Sequence, residues 1–325
     1  MTRLPDLADI EAAAATVYQA MPPTPQYNWP LLDEALSTRA WIKHENHTPI
    51  GTFKARSGQV YVQRLARRQP DIRGLVSATR GNHGQALALA CRRAGVALTI
   101  VVPHGNSVEK NASMRALGAQ LIEHGDDFQA AREHAILLAE RDALQLVPSY
   151  GPDLVAGVAT GWLELLRACP DVRTVFVPIG QGSGIAGAAA ARQALDRDVR
   201  IIGVVSAQAP AALLSWQQKR VVEAAVGPTI ADGVACRVLP QETVDVLVEH
   251  VDDVVAVTEA EVAAAIRLYY RATHNVAEGA AAAALAAALQ RRDDPRVRGR
   301  VLGLPLTGSN IDTAVLRGVL AEDSP

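Results

Sequence analysis

Short apolar runs alternate with segments of helical periodicity along most of this chain. Between residues 74 and 147 the pattern predicts strands at 74–78, 97–102, 120–123 and 144–147 and helices at 84–94, 107–117 and 128–141. Strands that are apolar throughout and separated by helices of about ten residues are typical of parallel βαβ units. Residues 71–148 are therefore expected to form a small α/β domain.

The same pattern continues on both sides of this segment. It predicts strands at 40–45, 174–178, 200–205 and 300–304 and helices at 6–18, 58–68, 155–168, 184–195, 259–274 and 279–291. Residues 1–70 and 149–325 are expected to form a second, larger α/β domain. Two such layers that close on each other leave a cleft between them, which is the natural place for a ligand.

The composition of the chain argues against some classes of binding partner. The 325 residues carry a formal net charge of -2, which provides no field for binding nucleic acid. No apolar stretch reaches membrane-spanning length, and the start of the chain lacks a secretory apolar run. The three cysteines are widely spaced and form no CxxC pair. We therefore expect a cytoplasmic protein without nucleic-acid or membrane partners.

The stretch at residues 48–58, Thr-Pro-Ile-Gly-Thr-Phe-Lys-Ala-Arg-Ser-Gly, places Lys54 in an unusual context for a solvated cation. The bulky aromatic residue Phe53 precedes it directly. Two interpretations are open at this point: a surface lysine at the start of a helix, or an amine in an apolar environment. Desolvation lowers the pKa of an amine and makes it available as a Schiff-base nucleophile.

Residues 180–184, Gly-Gln-Gly-Ser-Gly, lie between a predicted strand and a predicted helix. Backbone N–H groups and the helix dipole at such a position bind an anion, typically a phosphate. Residues 182–187 also spell G-x-G-x-x-G, but a dinucleotide site requires an acidic residue about 20 positions later, where the chain has valine and serine. A single phosphate on a smaller cofactor explains the loop, and so would glycines that serve only tight strand–helix packing.

Two further polar loops follow predicted strands and open helices. Residues 77–85, Ser-Ala-Thr-Arg-Gly-Asn-His-Gly-Gln, could receive a carboxylate on exposed backbone amides. Residues 305–310, Pro-Leu-Thr-Gly-Ser-Asn, form another hydroxyl-rich helix start. Ordinary helix capping explains either loop when it is taken alone. No histidine or cysteine has metal-ligand spacing, so no metal site is predicted.

Taken together and in this order, these motifs resemble the threonine dehydratase and serine racemase family of pyridoxal-phosphate enzymes, which have fold type II. The resemblance runs from about Thr48 to Asn310 and includes residues 102–107, Lys110 and residues 114–119. It implies two lobes, each a twisted and mostly parallel sheet flanked by helices, with pyridoxal 5'-phosphate in the cleft between them. It also implies a homodimer, for which the sequence itself identifies no interface.

The resemblance assigns a role to each motif. Lys54 would form the Schiff base with the cofactor and later move the α-proton, with Phe53 packed beside the ring. The other cofactor contacts would come from Asn82 at the 3-oxygen, Thr307 at the pyridine nitrogen, Glu278 in the pocket wall and, around the phosphate, Gly180, Gln181, Gly182, Ser183 and Gly184. The substrate carboxylate would be held by Thr79, Arg80, Gly81, Asn82 and His83.

Two departures from the family pattern change the expected chemistry. Arg80 occupies the position where the racemases have a serine that acts as the acid–base group on the opposite face. A guanidinium that is always charged cannot accept a proton there, so racemisation by that route is disfavoured. Val205, Ala209 and Ala211 provide no side-chain oxygen where many relatives bind a divalent ion, so that metal site is not expected.

The sequence thus predicts an ammonia-lyase that eliminates water from a 3-hydroxy-L-amino acid, by default L-threonine or L-serine, and releases a 2-oxo acid and ammonia. Arg80 raises the possibility of a substrate with a second carboxylate, such as a 3-hydroxyaspartate, although a salt bridge or a solvent-facing side chain would also explain this arginine. The motifs are also compatible with a β-replacement synthase, or with a catalytically silent protein that binds the cofactor or an amino acid on the same fold.

Overall fold

The structure is a computed structural model that describes residues 3–321. Its strands are β1 (Gln26–Asn28), β2 (Ala40–Lys43), β3 (Leu75–Ala78), β4 (Leu98–Val102), β5 (Gln120–Glu123), β6 (Gln145–Leu146), β7 (Thr174–Pro178), β8 (Arg200–Ser206), β9 (Asp253–Val257) and β10 (Leu302–Pro305). Its helices are α1 (Leu7–Val17), α2 (Pro30–Leu36), α3 (Lys54–Arg68), α4 (Asn82–Ala94), α5 (Val108–Ala116), α6 (Phe128–Asp142), α7 (Pro152–Ala168), α8 (Ser183–Ala194), α9 (Ala211–Gln218), α10 (Gln241–His250), α11 (Glu259–Thr273), α12 (Gly279–Gln290) and α13 (Thr313–Ala321). A 3₁₀ helix covers Asp232–Val234.

The strands form two sheets. The larger sheet has six strands in the order β1-β2-β10-β7-β8-β9, and all its neighbouring strands are parallel except β1, which is antiparallel to β2. The smaller sheet has four parallel strands in the order β5-β4-β3-β6, which are consecutive in the sequence. Parallel strands joined by helices confirm the predicted α/β fold class.

The larger sheet is buried on both faces. Alternate residues of a strand point to opposite faces, so Val175 and Val177 of β7 pack in one core with α7 and α8, whereas Phe176 packs in the other with α12. Helix α12 is mostly alanine, and residues 279–288 are all buried. Small side chains let this helix lie close to its neighbours.

Most element bounds lie within a few residues of the predicted ones, and the largest shift affects the lysine motif. Helix α3 begins at Lys54 rather than at residue 58. The preceding residues are held by a distant segment: the Phe53 N–H donates to the Thr307 carbonyl at 2.9 Å, and Thr52 forms a β-bridge with Gly308. These contacts are long-range, so a local pattern does not reveal them.

Several elements were not predicted at all. The sequence pattern did not indicate β1, α2, α9, α10 or β9. β1 has only three residues, which are too few to show a periodicity. β9, in contrast, is an apolar run that is visible in the sequence and was missed. No helix within residues 3–321 is both long and apolar enough to cross a membrane.

The carboxyl ends of three parallel strands carry the polar loops of the sequence motifs. β3 leads through residues 79–81 into α4, β7 leads through residues 179–182 into α8, and β10 leads into residues 306–312 before α13. Crevices outside the carboxyl ends of strands are the usual ligand sites of open α/β sheets.

Candidate active site

Lys54 is the first residue of α3, and its position is fixed by backbone contacts to residues 307–309. Besides the Phe53 and Thr52 contacts described above, the Ser309 N–H donates to the Gly51 carbonyl at 2.9 Å. Gly51 has φ +68°, a left-handed conformation that favours glycine. The chain is therefore tied on both sides of the turn that presents Lys54.

The Lys54 amine lacks a compensating charge. Its Nζ donates to the Ser183 hydroxyl at 2.7 Å and lies 5.0 Å from the centroid of the Phe53 ring. The described residues provide no carboxylate within ion-pair distance of it. Burial of the amine lowers the pKa of Lys54 to about 8, and Cys236 acts weakly in the opposite direction. About one-tenth of such amines are neutral at pH 7, which is the form that acts as a nucleophile or base.

The loop from β7 to α8 has the geometry of an anion cradle. Gly182 has φ +103°, and a Cβ atom there would lie 2.2 Å from the Thr243 side chain. A Cβ atom at Gly180 would lie 2.6 Å from the Gly233 carbonyl oxygen, so these positions admit only glycine. Helix α8 starts at Ser183 and directs its free N–H groups into the loop.

Phe53 and the segment at residues 238–243 contact this loop. A Cβ atom at Gly184 would lie 3.8 Å from the Phe53 ring, which therefore packs directly against the loop. The Gln181 side-chain amide donates to the Val238 carbonyl at 3.3 Å, and the Gln181 carbonyl accepts from the Thr243 hydroxyl at 2.8 Å. Gln181 and Ser183 thus add side-chain contacts without closing the loop.

Asn82 lies at the start of α4 and is held by two side chains from the far end of the sequence. Its Nδ2 donates to Glu278 Oε1 at 2.7 Å, and its Oδ1 accepts from Asn310 Nδ2 at 2.8 Å. These two bonds determine which side of the Asn82 amide carries the NH2 group and which side carries the oxygen. The sequence indicated Asn82 and Glu278, but not that they contact each other.

Glu278 is buried, and its Oε2 has no hydrogen-bond partner among the described residues. The pKa of Glu278 is raised to about 7, because burial and the charge of Asp232 outweigh the lowering effects of Lys110 and of the bond from Asn82. An unpartnered buried carboxyl oxygen is costly unless a ligand or a proton satisfies it.

The loop at residues 79–83 is internally ordered. The Gly81 N–H donates to the Thr79 hydroxyl at 3.0 Å. His83 is buried, and burial together with the charge of Lys54 lowers its pKa to about 3, although an interaction with the Pro148 backbone raises it. His83 is therefore neutral at physiological pH, and the amides of Asn82 and His83, first in α4, lack intrahelical acceptors.

Arg80 and Thr307 occupy the edges of the site. The Arg80 side chain is exposed, and residues 3–321 supply no ion-pair or hydrogen-bond partner for it. Thr307 is partly buried, and its carbonyl oxygen accepts from the Phe53 N–H and the Thr52 hydroxyl. Its own hydroxyl has no described partner, so the assignment of that hydroxyl to a ring nitrogen stays a prediction.

The sequence motifs did not include Cys236, whereas the structure places it at the site. Its thiol is partly buried and interacts electrostatically with Lys54 and Arg80. Burial raises its pKa, and a bond from Gln181 and the two cations lower it. No local motif surrounds Cys236, so only the tertiary structure reveals this position. Within residues 3–321 there is no cluster of three or more side chains suited to a metal ion.

Comparison with known proteins agrees with this geometry. Residues 17–308 match the family model described as pyridoxal-phosphate dependent enzyme. An L-threonine ammonia-lyase of Thermotoga maritima is 33% identical over 97% of this chain and 78% of its own length. Maize serine racemase superposes with a TM-score of 0.91 at 25% identity, covering 98% of each chain. A pyridoxal 5'-phosphate-dependent aspartate racemase superposes with a TM-score of 0.90 at 26% identity, covering 97% of this chain and 99% of its own.

The site fits the cofactor that this family binds. The glycine loop leaves space that any Cβ atom would fill, α8 offers its N–H groups to a phosphate, and the nearby lysine lacks a carboxylate partner. The family resemblance, the fold type and the pyridoxal-phosphate requirement predicted from the sequence are thereby confirmed. The chain belongs to the family of pyridoxal-phosphate dependent enzymes.

Proposed function

We propose that the protein is an ammonia-lyase that removes water from L-threonine or L-serine and yields a 2-oxo acid and ammonia. The observation that carries the proposal is the Lys54 amine, which is desolvated and lies beside the glycine loop with only a hydroxyl partner. The printed name of the Thermotoga maritima relative, L-threonine ammonia-lyase, supports the same reaction class.

The residues that would hold the cofactor surround Lys54. When bound, pyridoxal phosphate acts as an electron sink that acidifies the Cα proton of an amino acid. The phosphate would be held by backbone amides of Gly180, Gln181, Gly182, Ser183 and Gly184, and the ring by Phe53, Asn82, Glu278 and Thr307. The unpartnered oxygen of Glu278 and the amide face fixed at Asn82 are available for that purpose.

Lys54 would be the base of the reaction. Its amine, with a pKa near 8, accepts the proton from Cα at Nζ, and the Ser183 hydroxyl orients that nitrogen. Arg80 has a guanidinium that remains charged and cannot accept a proton on the opposite face. A single base favours elimination over racemisation, because racemisation needs a proton donor on each face.

The substrate carboxylate would lie at the N-terminus of α4. The amides of Asn82 and His83 have no intrahelical acceptor, and the dipole of this 13-residue helix favours an anion there. Thr79 and Gly81 shape the loop through their own hydrogen bond. The neutral His83 adds no charge at this position.

The organisation of the molecule follows from the same proposal. We assign residues 71–148, which contain the four-stranded sheet, to a small substrate-loop domain and residues 1–70 and 149–325 to a large cofactor domain. We also propose a cytoplasmic homodimer. Light scattering of the purified protein at several concentrations tests the dimer, and a single monomeric mass at all of them would contradict it.

A second candidate substrate has two carboxylates. Arg80 is exposed and has no acidic partner among the described residues. Its positive charge lowers the pKa of Cys236, which also interacts electrostatically with Lys54. A 3-hydroxyaspartate could place its side-chain carboxylate against this guanidinium. Comparison of kcat/KM for L-threonine and 3-hydroxyaspartate in wild type and Arg80→Ala tests this, and an unchanged ratio would refute it.

A steady-state assay of ammonia and 2-oxo acid formation against 3-hydroxy amino acids tests the main proposal. We expect equal amounts of both products from threonine or serine without an added nucleophile. Product formation only with an added thiol would indicate a β-replacement synthase instead. A protein that binds the cofactor but gives no product with any substrate would indicate a catalytically silent binding protein.

A further inference from the structure

A buried lysine that the proposed mechanism does not use joins the two sheet-bearing parts of the molecule. Lys110 lies in the first turn of α5, between β4 and β5 of the smaller sheet, and is only 6% exposed. Its Nζ lies 2.5 Å from Oδ2 of Asp232, in the 3₁₀ helix of the part that forms the larger sheet. The Asp232 side chain is 34% exposed, so only the lysine end of the pair is buried, and desolvation of that amine offsets part of the energy of the pair.

The stem of Lys110 supports the loop proposed to bind the substrate carboxylate. A Cβ atom at Gly81 would lie 2.4 Å from Cδ of Lys110 and 3.2 Å from its Cγ. The Gly81 backbone therefore rests directly on the methylene groups of the lysine. A displacement of this stem would displace residues 79–83, whose helix-start amides face the site.

The other end of the ion pair supports the glycine loop. Gly233 follows Asp232, and its carbonyl oxygen lies 2.6 Å from the position of a Cβ atom at Gly180. The positive charge of Lys110 also acts on Glu278, which accepts the bond from Asn82. One side chain thus contacts or influences the carboxylate loop, the glycine loop and the Asn82 network.

Helix α5 makes a second contact between the same two parts, which serves as a control. Oε1 of Glu109 accepts from the Thr313 N–H at 2.8 Å in an exposed position. This contact also joins the two parts, but the three atoms nearest to a Cβ position at Gly81 all belong to Lys110. Neutralisation of Glu109 tests what a change of charge at a neighbouring contact of α5 contributes by itself.

We infer that Lys110 is a positioning residue. Through its ion pair with Asp232, it holds the loop at residues 79–83 at the distance from the glycine loop that substrate binding requires. Its kinetic consequence rests on the proposed lyase function, whereas its effect on the loop does not. Loss of either partner lets the loop move without removing any group that touches the cofactor or the substrate.

Hydrogen–deuterium exchange of the holoenzyme tests the inference without a substrate. We expect amides 79–84 to exchange about tenfold faster in Lys110→Met and in Asp232→Asn, because these amides lose their support. The double variant should match the single variants, since both remove one interaction. Glu109→Gln should leave this segment unchanged. If Lys110→Met does not fold, Asp232→Asn, which replaces one oxygen by nitrogen, decides the question.

Kinetics supply the second measurement. Misplacement of a binding loop by a fraction of an ångström should raise KM for the amino acid about tenfold, with the cofactor Kd changed less than about threefold. A loss of thermal stability alone, with loop exchange and KM as in Glu109→Gln, would overturn the inference. If wild type acts on no 3-hydroxy amino acid, the proposed function fails, and the exchange measurement alone decides the role of Lys110.

Discussion

Lys54, which is partly buried, and Arg56, which is fully buried, lie two residues apart at the start of α3, and their surroundings are opposite. Arg56 is 0% exposed, and its guanidinium donates to the carboxylates of Glu45 and Glu164 at 2.6–2.9 Å and to the hydroxyls of Thr24 and Thr160. Within residues 3–321, the Lys54 amine has only the Ser183 hydroxyl as a hydrogen-bond partner. One cation is fully compensated, and the other is not.

The pKa values follow this difference. Burial lowers the pKa of Arg56, but Glu45 and Glu164 outweigh it and the net pKa is raised. For Lys54 no carboxylate opposes burial, so its pKa falls to about 8. The comparison shows that burial alone does not produce a reactive cation. The absence of a carboxylate partner distinguishes Lys54, the proposed reactive group, from Arg56, which has a structural role.

The largest expected effect is the loss of activity in Lys54→Ala. Removal of both the Schiff-base nucleophile and the base should lower kcat for ammonia release at least about a thousandfold. Lys54→Arg should be equally inactive, because a guanidinium keeps the charge but does not form a Schiff base. Ammonia release at saturating pyridoxal phosphate measures both. Activity within tenfold of wild type in either variant would assign the chemistry to another group.

The next effect concerns stability at the compensated cation. Arg56→Met should lower the free energy of unfolding by about 3–5 kcal/mol, because the buried carboxylate of Glu45 loses its ion-pair partner and that of Glu164 keeps only Lys43. Urea denaturation measures this. Arg167→Met is the control, since its pair with Glu11 is about half exposed and should contribute less than about 1 kcal/mol. Equal losses in both variants would contradict the comparison.

The uncompensated cation should behave in the opposite way. Lys54→Met should raise the unfolding free energy of the cofactor-free protein by about 3 kcal/mol at pH 7, because it removes a charge that the fold stabilises poorly and each unit of pKa depression costs about 1.4 kcal/mol. The folded pKa of about 8 lies below the ordinary 10.5, so the unfolded chain binds more protons between these values. Wild-type stability therefore rises with pH across this interval, and the advantage of Lys54→Met should disappear above it. An advantage independent of pH would show that the charge is not its cause.

The smallest effect is expected at the partner of Lys54. Ser183→Ala should raise the cofactor Kd about fivefold, because one hydroxyl hydrogen bond at the start of α8 is lost. Ser309→Ala is a matched control, since its hydroxyl makes only a 3.4 Å contact to the Gly51 carbonyl. Absorbance titration of the cofactor-free protein measures both. An identical Kd in wild type and Ser183→Ala would remove that hydroxyl from the site.

The sequence supported the fold class because apolar strands and helical segments alternate locally. It supported the glycine loop for the same reason, since strand, glycines and helix are neighbours in the chain. Contacts between segments that are distant in the sequence could not be predicted from local patterns. Asn82 and Glu278 are 196 residues apart, and Arg56 and Glu164 are 108 apart. The compensation of Arg56, which separates it from Lys54, is therefore a property of the tertiary structure alone.

The ion pair of Lys110 shows the same limit. The family resemblance included this lysine, but its partner Asp232 lies 122 residues away and belongs to no motif. The thiol of Cys236 likewise reaches the site only through the folding of the segment after that 3₁₀ helix. Pattern reasoning identified the groups with characteristic neighbours in sequence and missed those with characteristic neighbours in space.

The attachment site of the cofactor tests the central claim most directly. The chain has four lysines, Lys43, Lys54, Lys110 and Lys219. Borohydride reduction of the holoenzyme fixes the cofactor to its lysine, and peptide mass spectrometry then locates it. We predict the cofactor mass on the peptide that contains Lys54 and on no other. Attachment to Lys43 or Lys110, the two buried lysines with carboxylate partners, would contradict the claim that the uncompensated amine is the reactive one.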